Sequence, residues 1–212
     1  STLFPYTTLF RSTNLDVKNN TLKIENGAVL EATGYGGFVA GGTPQVKGSA
    51  IENHVIVDGG KTKDIYGGMT KTKNGDASKN TVEINDNSTI NGSVYGGAID
   101  NDYTDTDTDV KENQVTLRGT KATTTVTGDI IGGYMKKYAH DVANNGVTIE
   151  GGKVSGDVFG AKIDQYGSVE NNVVTMRGDS EVCSLIGGYV EDMGQDRKRT
   201  RLNSSHTNLS RM

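Results

Sequence analysis

The sequence predicts an all-β fold: a parallel β-solenoid (β-helix) of about six rungs, with two to three short strands per rung. Three observations predict it. One phrase occurs six times, as NTLKI (20–24), NHVIV (53–57), NTVEI (80–84), NQVTL (113–117), NGVTI (145–149) and NVVTM (172–176). Each copy opens on Asn and places an apolar residue two and four positions later, the alternation of a half-buried strand. The copies lie 33, 27, 33, 32 and 27 residues apart, the spacing of a repeat protein. The repeat region carries no apolar period of 3.6, so no helix is expected.

Each element of the repeat follows from a column. Three places before the Asn stand Val17, Ala50, Ala77, Val110, Val142 and Val169. This column predicts a weak strand or extended arc leading into the Asn. Two places after it stand Leu22, Val55, Val82, Val115, Val147 and Val174; four places after, Ile24, Val57, Ile84, Leu117, Ile149 and Met176. All are apolar, whereas the intervening Lys23, Ile56, Glu83, Thr116, Thr148 and Thr175 are mixed, so one face is buried and the other wet. Turn signals such as Asn26-Gly27 and Gly59-Gly60 end this strand. A second phrase follows: TGYGG (33–37), DIYGG (64–68), SVYGG (93–97), DIIGG (129–133), DVFGA (157–161) and SLIGG (184–188). Its Gly pair marks a bend or a close backbone approach. Repeat length varies mainly after that pair, at 38–49 and 98–109, and also at 120–125. Such insertions project from the edge of a rod, where a ligand would bind.

A repeat of this kind cannot bury its apolar face alone, so the copies must stack. Composition agrees: of 212 residues 33% are hydrophobic and 29 are Gly, too few apolar residues for a thick core and enough for a thin one along an axis. The Asn column, Asn20, Asn53, Asn80, Asn113, Asn145 and Asn172, has two readings. Stacked amides carry donor and acceptor in one group and can bond along the rod as a ladder; Asn also suits a turn before a strand.

The ends do not share the pattern. Residues 1–12 and 197–212 resemble translated sequencing-adapter sequence and are expected to be artefactual or disordered tails around a 13–196 repeat array. Setting aside their six basic residues leaves 16 of 22 Lys and Arg against 26 Asp and Glu, a net charge of −10 instead of −4. An acidic array is a poor ligand for nucleic acid. No run of 18 apolar residues occurs, so this segment is not expected to insert in a membrane.

Candidate chemistry is sparse. Asp105, Asp107 and Asp109 close an acidic run that offers oxygen ligands to a cation. The EF-hand pattern fails, because Val110 stands where the turn Gly belongs and Thr116 where the bidentate Glu belongs; a solvated loop is the expectation. Asp129 and Asp157 share a column and form a conceivable acid/base pair for sugar cleavage, but their expected placement is outward and exposed. His54 and His140 stand alone in separate columns. Tyr35, Tyr66, Tyr95 and Phe159 form an aromatic column, either a sugar platform or the cover of a rung edge. Cys183 is the only cysteine, which excludes an intramolecular disulfide; a small core filler is expected. No catalytic constellation emerges, and neither an enzyme nor a cofactor is expected.

The segments GDASKNTVEINDNSTINGSVYGG (75–97) and NNGVTIEGGKVSGDVFGA (144–161) resemble passenger-domain repeats of Gram-negative autotransporter adhesins, over about 16–190. The resemblance implies a surface-exposed or secreted β-solenoid exported through an outer-membrane barrel. It implies a structural or adhesive rod that presents loops to a surface glycan or protein. A β-helical polysaccharide-active enzyme and a self-assembling surface-layer or biofilm component are the alternatives. Open strand edges at the ends further predict self-association.

Overall fold

A computed structural model describes residues 15–40, 47–103 and 107–191. Both proposed tails, residues 1–12 and 197–212, lie outside the described residues. The described chain contains no helix and coils as a parallel β-solenoid of about six turns.

Three parallel sheets run along the coil. The first collects Val17–Lys18, Ala50–Ile51, Ala77–Ser78, Asp109–Lys111, Tyr138–Ala143 and Tyr166–Glu170, which is the weak arc before the Asn. The second collects the Asn phrases, from Thr21–Glu25 to Val173–Met176. The third carries the Gly pairs in Gly34–Val39, Ile65–Thr70, Val94–Ile99 and Ile130–Met135. Short strands precede them at Lys61–Thr62, Thr89–Ile90 and Thr125–Val126, and in the fifth turn both arms merge into one twelve-residue strand, Gly152–Ile163. In the sixth turn both arms still run together in Ser180–Ile186, and the break falls at Gly187-Gly188, before Tyr189–Val190.

Register follows the sequence columns. Val55 pairs with Val82, Val82 with Val115, and Val115 with Val147, so like stacks on like in adjoining rungs. These four valines are 0–1% exposed. Burying such a side chain contributes roughly 1.5–3 kcal/mol.

The interior holds two cores. The larger joins the inward valines and isoleucines of the second sheet to Ile65, Val94, Ile130 and Val158 of the third. The smaller joins Ala77, Val110 and Val142 of the first sheet to Ile99, Met135 and Ile163. The Asn column and the Gly pairs lie between them.

Candidate functional site: the asparagine ladder and its neighbours

Each column Asn follows a corner. Asn19, Glu52, Lys79, Glu112, Asn144 and Asn171 all have φ between 53° and 58°, the left-handed region that disfavours a side chain with a Cβ. That conformation carries the chain from the first sheet to the second and turns the next side chain inward. Asn53, Asn80 and Asn113 are 0% exposed and Asn145 1%.

The amides bond in one continuous chain, buried from Asn53 to Asn145. Nδ2 of Asn20, Asn53, Asn80, Asn113 and Asn145 each donates to Oδ1 of the next Asn, at 2.9–3.0 Å. In the interior rungs the same Nδ2 also donates to a carbonyl of the preceding rung, as Asn80 does to Ala50 at 2.9 Å. Each Oδ1 further accepts the preceding Asn's main-chain N–H, at 2.9–3.2 Å. Main-chain groups dictate the amide orientation, because an N–H can only face Oδ1 and a carbonyl can only face Nδ2. An interior Asn such as Asn80 thus uses both amide hydrogens and both lone pairs, which is what a buried polar group requires.

The Gly pairs make room for this chain. A Cβ built on Gly37, Gly68, Gly97 or Gly133 would lie 2.3–2.5 Å from a ladder amide. The close backbone approach suggested by the pair is an approach to the Asn column. Ala161 takes this place beside Asn172, the last and only half-buried ladder residue.

Two further columns bond rung to rung. Asp64 Oδ1 accepts Ser93 N–H at 2.8 Å, Ser93 Oγ accepts Asp129 N–H at 3.1 Å, and Asp129 Oδ1 accepts Asp157 N–H at 2.9 Å. Asp16, Ser49, Asp76 and Asp109 do the same at 3.0 Å along the first sheet. Asp129 and Asp157 are therefore half-buried and engaged with main chain, which corrects their expected exposed placement. Burial, and next in the same direction the Asp109 carboxylate, pushes the Asp76 carboxyl up.

The candidate cation ligands do not gather as a run. Asp105 lies outside the described residues, Asp107 is exposed, and Asp109 turns toward the first sheet. There Asp109, His140 and Asp141 place ligand atoms within 4.8 Å of one another. Lys111 Nζ already bridges the two carboxylates at 2.9 and 3.1 Å and supplies the countercharge a cation would bring. His54 Nε2 lies 3.5 Å from Glu83.

The aromatic column is shorter than its sequence. Tyr35 stacks on Tyr66 and Tyr66 on Tyr95, with centroids 5.3 and 4.4 Å apart. Ile131 occupies the next register position, and Phe159 instead tilts against Tyr189. Burial pushes the Tyr66, Tyr95 and Tyr134 hydroxyls up. Cys183 is exposed, not a core filler, because it stands on the outward alternation of Ser180–Ile186.

Sequence reasoning missed the left-handed corners and the capping role of the Asp and Ser columns. The signal for the first was present, since Asn, which tolerates that conformation, fills three of the six corners. No family model, curated protein or solved structure matches the chain, and the likeness to autotransporter passenger repeats rests on the repeat phrase. Among the described residues, no helix is long and apolar enough to cross a membrane.

Proposed function

We propose that this chain is a rod segment of a bacterial surface-exposed or secreted protein, structural and adhesive, in the manner of autotransporter passengers. One observation carries the reading. Two of the three insertions in repeat length fall at one edge, where the third sheet hands over to the first sheet of the next rung; the other, at 120–125, lies between the second sheet and the third. The connection at that edge takes ten residues at 40–49, six at 71–76 and nine at 100–108; at 136–137 and 164–165 only two remain outside strands, because Tyr138–Ala143 and Tyr166–Glu170 draw part of the arc into the first sheet. The third-sheet strands before this connection pair in one register from Gly34–Val39 to Gly152–Ile163, and the first-sheet strands after it keep the Ala/Val column in register, with one irregularity between Tyr138 and Asp141. A fixed rod with a variable edge suits display, and the partner chemistry it fits is a glycan or protein of another surface.

The base of the 100–108 connection is built to hold it. Lys71 and Lys136 each lie 3.0 Å from Asp100, and Lys136 also reaches Asp102 at 3.3 Å. The ladder amides are spent on one another and on main chain in the adjoining rungs, which suits stiffness and not turnover. The role is therefore non-catalytic and needs no cofactor. Glycan and protein arrays probed with the full chain, and with residues 102–107 deleted, test it. Binding that falls at least tenfold on deletion, with no reducing sugar released from the bound glycans, supports display. Release of reducing sugar from a polysaccharide panel would favour the enzyme instead.

A further inference from the structure

We infer that the two ends of the rod are complementary, and that a second copy of this chain stacks on the first head to tail, in the register of its rungs. The inference stands on rung geometry and not on the display role, so failed glycan binding leaves it in place.

The ladder has a direction. In every rung from Asn20 to Asn145, the Asn donates both its main-chain N–H and its Nδ2 to the following rung. No described rung precedes that of Asn20, so its Oδ1 stands where, in every later rung, the previous Asn donates. At Asn172 no described rung follows, and Nδ2 gives its two hydrogens to Val142 O and Glu170 O, both at 2.9 Å, the second in place of a next Asn. Along the ladder, one end therefore presents an acceptor, Asn20 Oδ1, and the other a donor, the Asn172 main-chain N–H. Two like ends brought together would set acceptor against acceptor or donor against donor.

The flanking side chains agree with that direction. Two places before the ladder Asn stand Lys18 in the first described rung and Glu170 in the last; five places after it stand Glu25 and Arg177. Continued stacking would set Glu170 of one copy over Lys18 of the next, and Arg177 over Glu25, opposite charges in both columns. Tyr189 would meet Phe38, the end members of a single register column. The last rung leaves apolar surface that its own columns bury elsewhere: Leu185 is 41% and Val190 42% exposed, against 0% for Val158 and Ile163 one rung earlier. Parallel strand edges at both ends supply main-chain pairing.

Such a contact is heterologous and does not close, so it propagates as a linear filament. Each copy would add six rungs, an axial repeat of about 29 Å. Sedimentation velocity of the full chain tests this, in low salt and with reductant so that Cys183 cannot link copies. Concentration-dependent growth into linear species is expected. Glu170→Lys and Lys18→Glu should each weaken association about tenfold, and an equal mixture of the two variants should recover it. Circular dichroism checks the fold of each variant; should one fail, the Arg177→Glu and Glu25→Arg pair takes its place with the same expectations. A monomer up to about 1 mM would overturn the proposal, as capping of the ends by residues 1–14 or 192–212 would produce. So would a closed dimer, or association that neither charge reversal changes.

Discussion

The ladder makes stability depend on position at the scale of one residue. Asn80→Ala removes the acceptor of Asn53 N–H and Nδ2, and the donor to Ala50 O. With no exposure at Asn80, water cannot replace these partners. A cost of about 3 kcal/mol is expected, from two or more groups left unsatisfied. Asn172 is half-buried and closes the described ladder, so Asn172→Ala should cost about 1 kcal/mol. Denaturant melts of both variants check the difference; equal losses would mean that the amide chain contributes nothing beyond local turn preference. That Asn recurs was legible in the sequence. That it points inward was not, because period-2 alternation assigns an inward face only to positions inside the strand, and the Asn stands at its threshold.

At the scale of the element, the corner before each Asn holds a residue in the left-handed region whatever its type. Lys79, Glu112 and Glu52 bear the Cβ clash that Asn19, Asn144 and Asn171 bear more easily. Lys79→Asn should therefore raise stability by about 0.5 kcal/mol, read as a higher melting temperature at unchanged denaturant slope. A loss would show that the Lys79 stem packs usefully although the residue is exposed at the corner. The three strand arcs and their register were legible, because identical columns leave one stacking that matches apolar to apolar. The division of the interior into two cores was not. It arises where the Gly pair lets the third sheet approach the Asn column, and a Gly pair in sequence does not say what it approaches. The cation candidates failed for a similar reason: proximity in sequence grouped Asp109 with Asp107, whereas stacking groups it with Asp76 and Asp141, and Lys111 on its own strand bridges the last pair.

At the scale of the molecule, acid acts on carboxylates of opposite tendency. The Lys18 hydrogen bond holds Asp16 below its ordinary value of 3.8. Burial alone would raise Asp100, but Lys136 and Lys71 outweigh it and hold that carboxyl below 3.8 as well. Their contribution is present above the unfolded value and is lost as pH falls through the lowered folded one. Asp76 is raised, so its contribution runs the other way and improves on acidification. The melting temperature is expected to fall between about pH 5 and 3, and Asp100→Asn should flatten that fall; a melting temperature that rises toward pH 3 would mean that Asp76 dominates. The stacked architecture also implies a gradient along the rod. Each rung contacts only its neighbours, so an inner rung is held from both sides and an outer one from one. Val82 and Val115 are 1% exposed, whereas Val174 in the last rung is half-buried. Amide hydrogen exchange should therefore be slowest in Thr81–Ile84 and Gln114–Arg118 and fastest in Val173–Met176 and Ser180–Ile186. Uniform protection would mean a single cooperative unit instead of a layered one. Repeating the exchange at high concentration joins this gradient to the end-to-end contact: stacking would protect the outer rungs and leave the inner ones as they were.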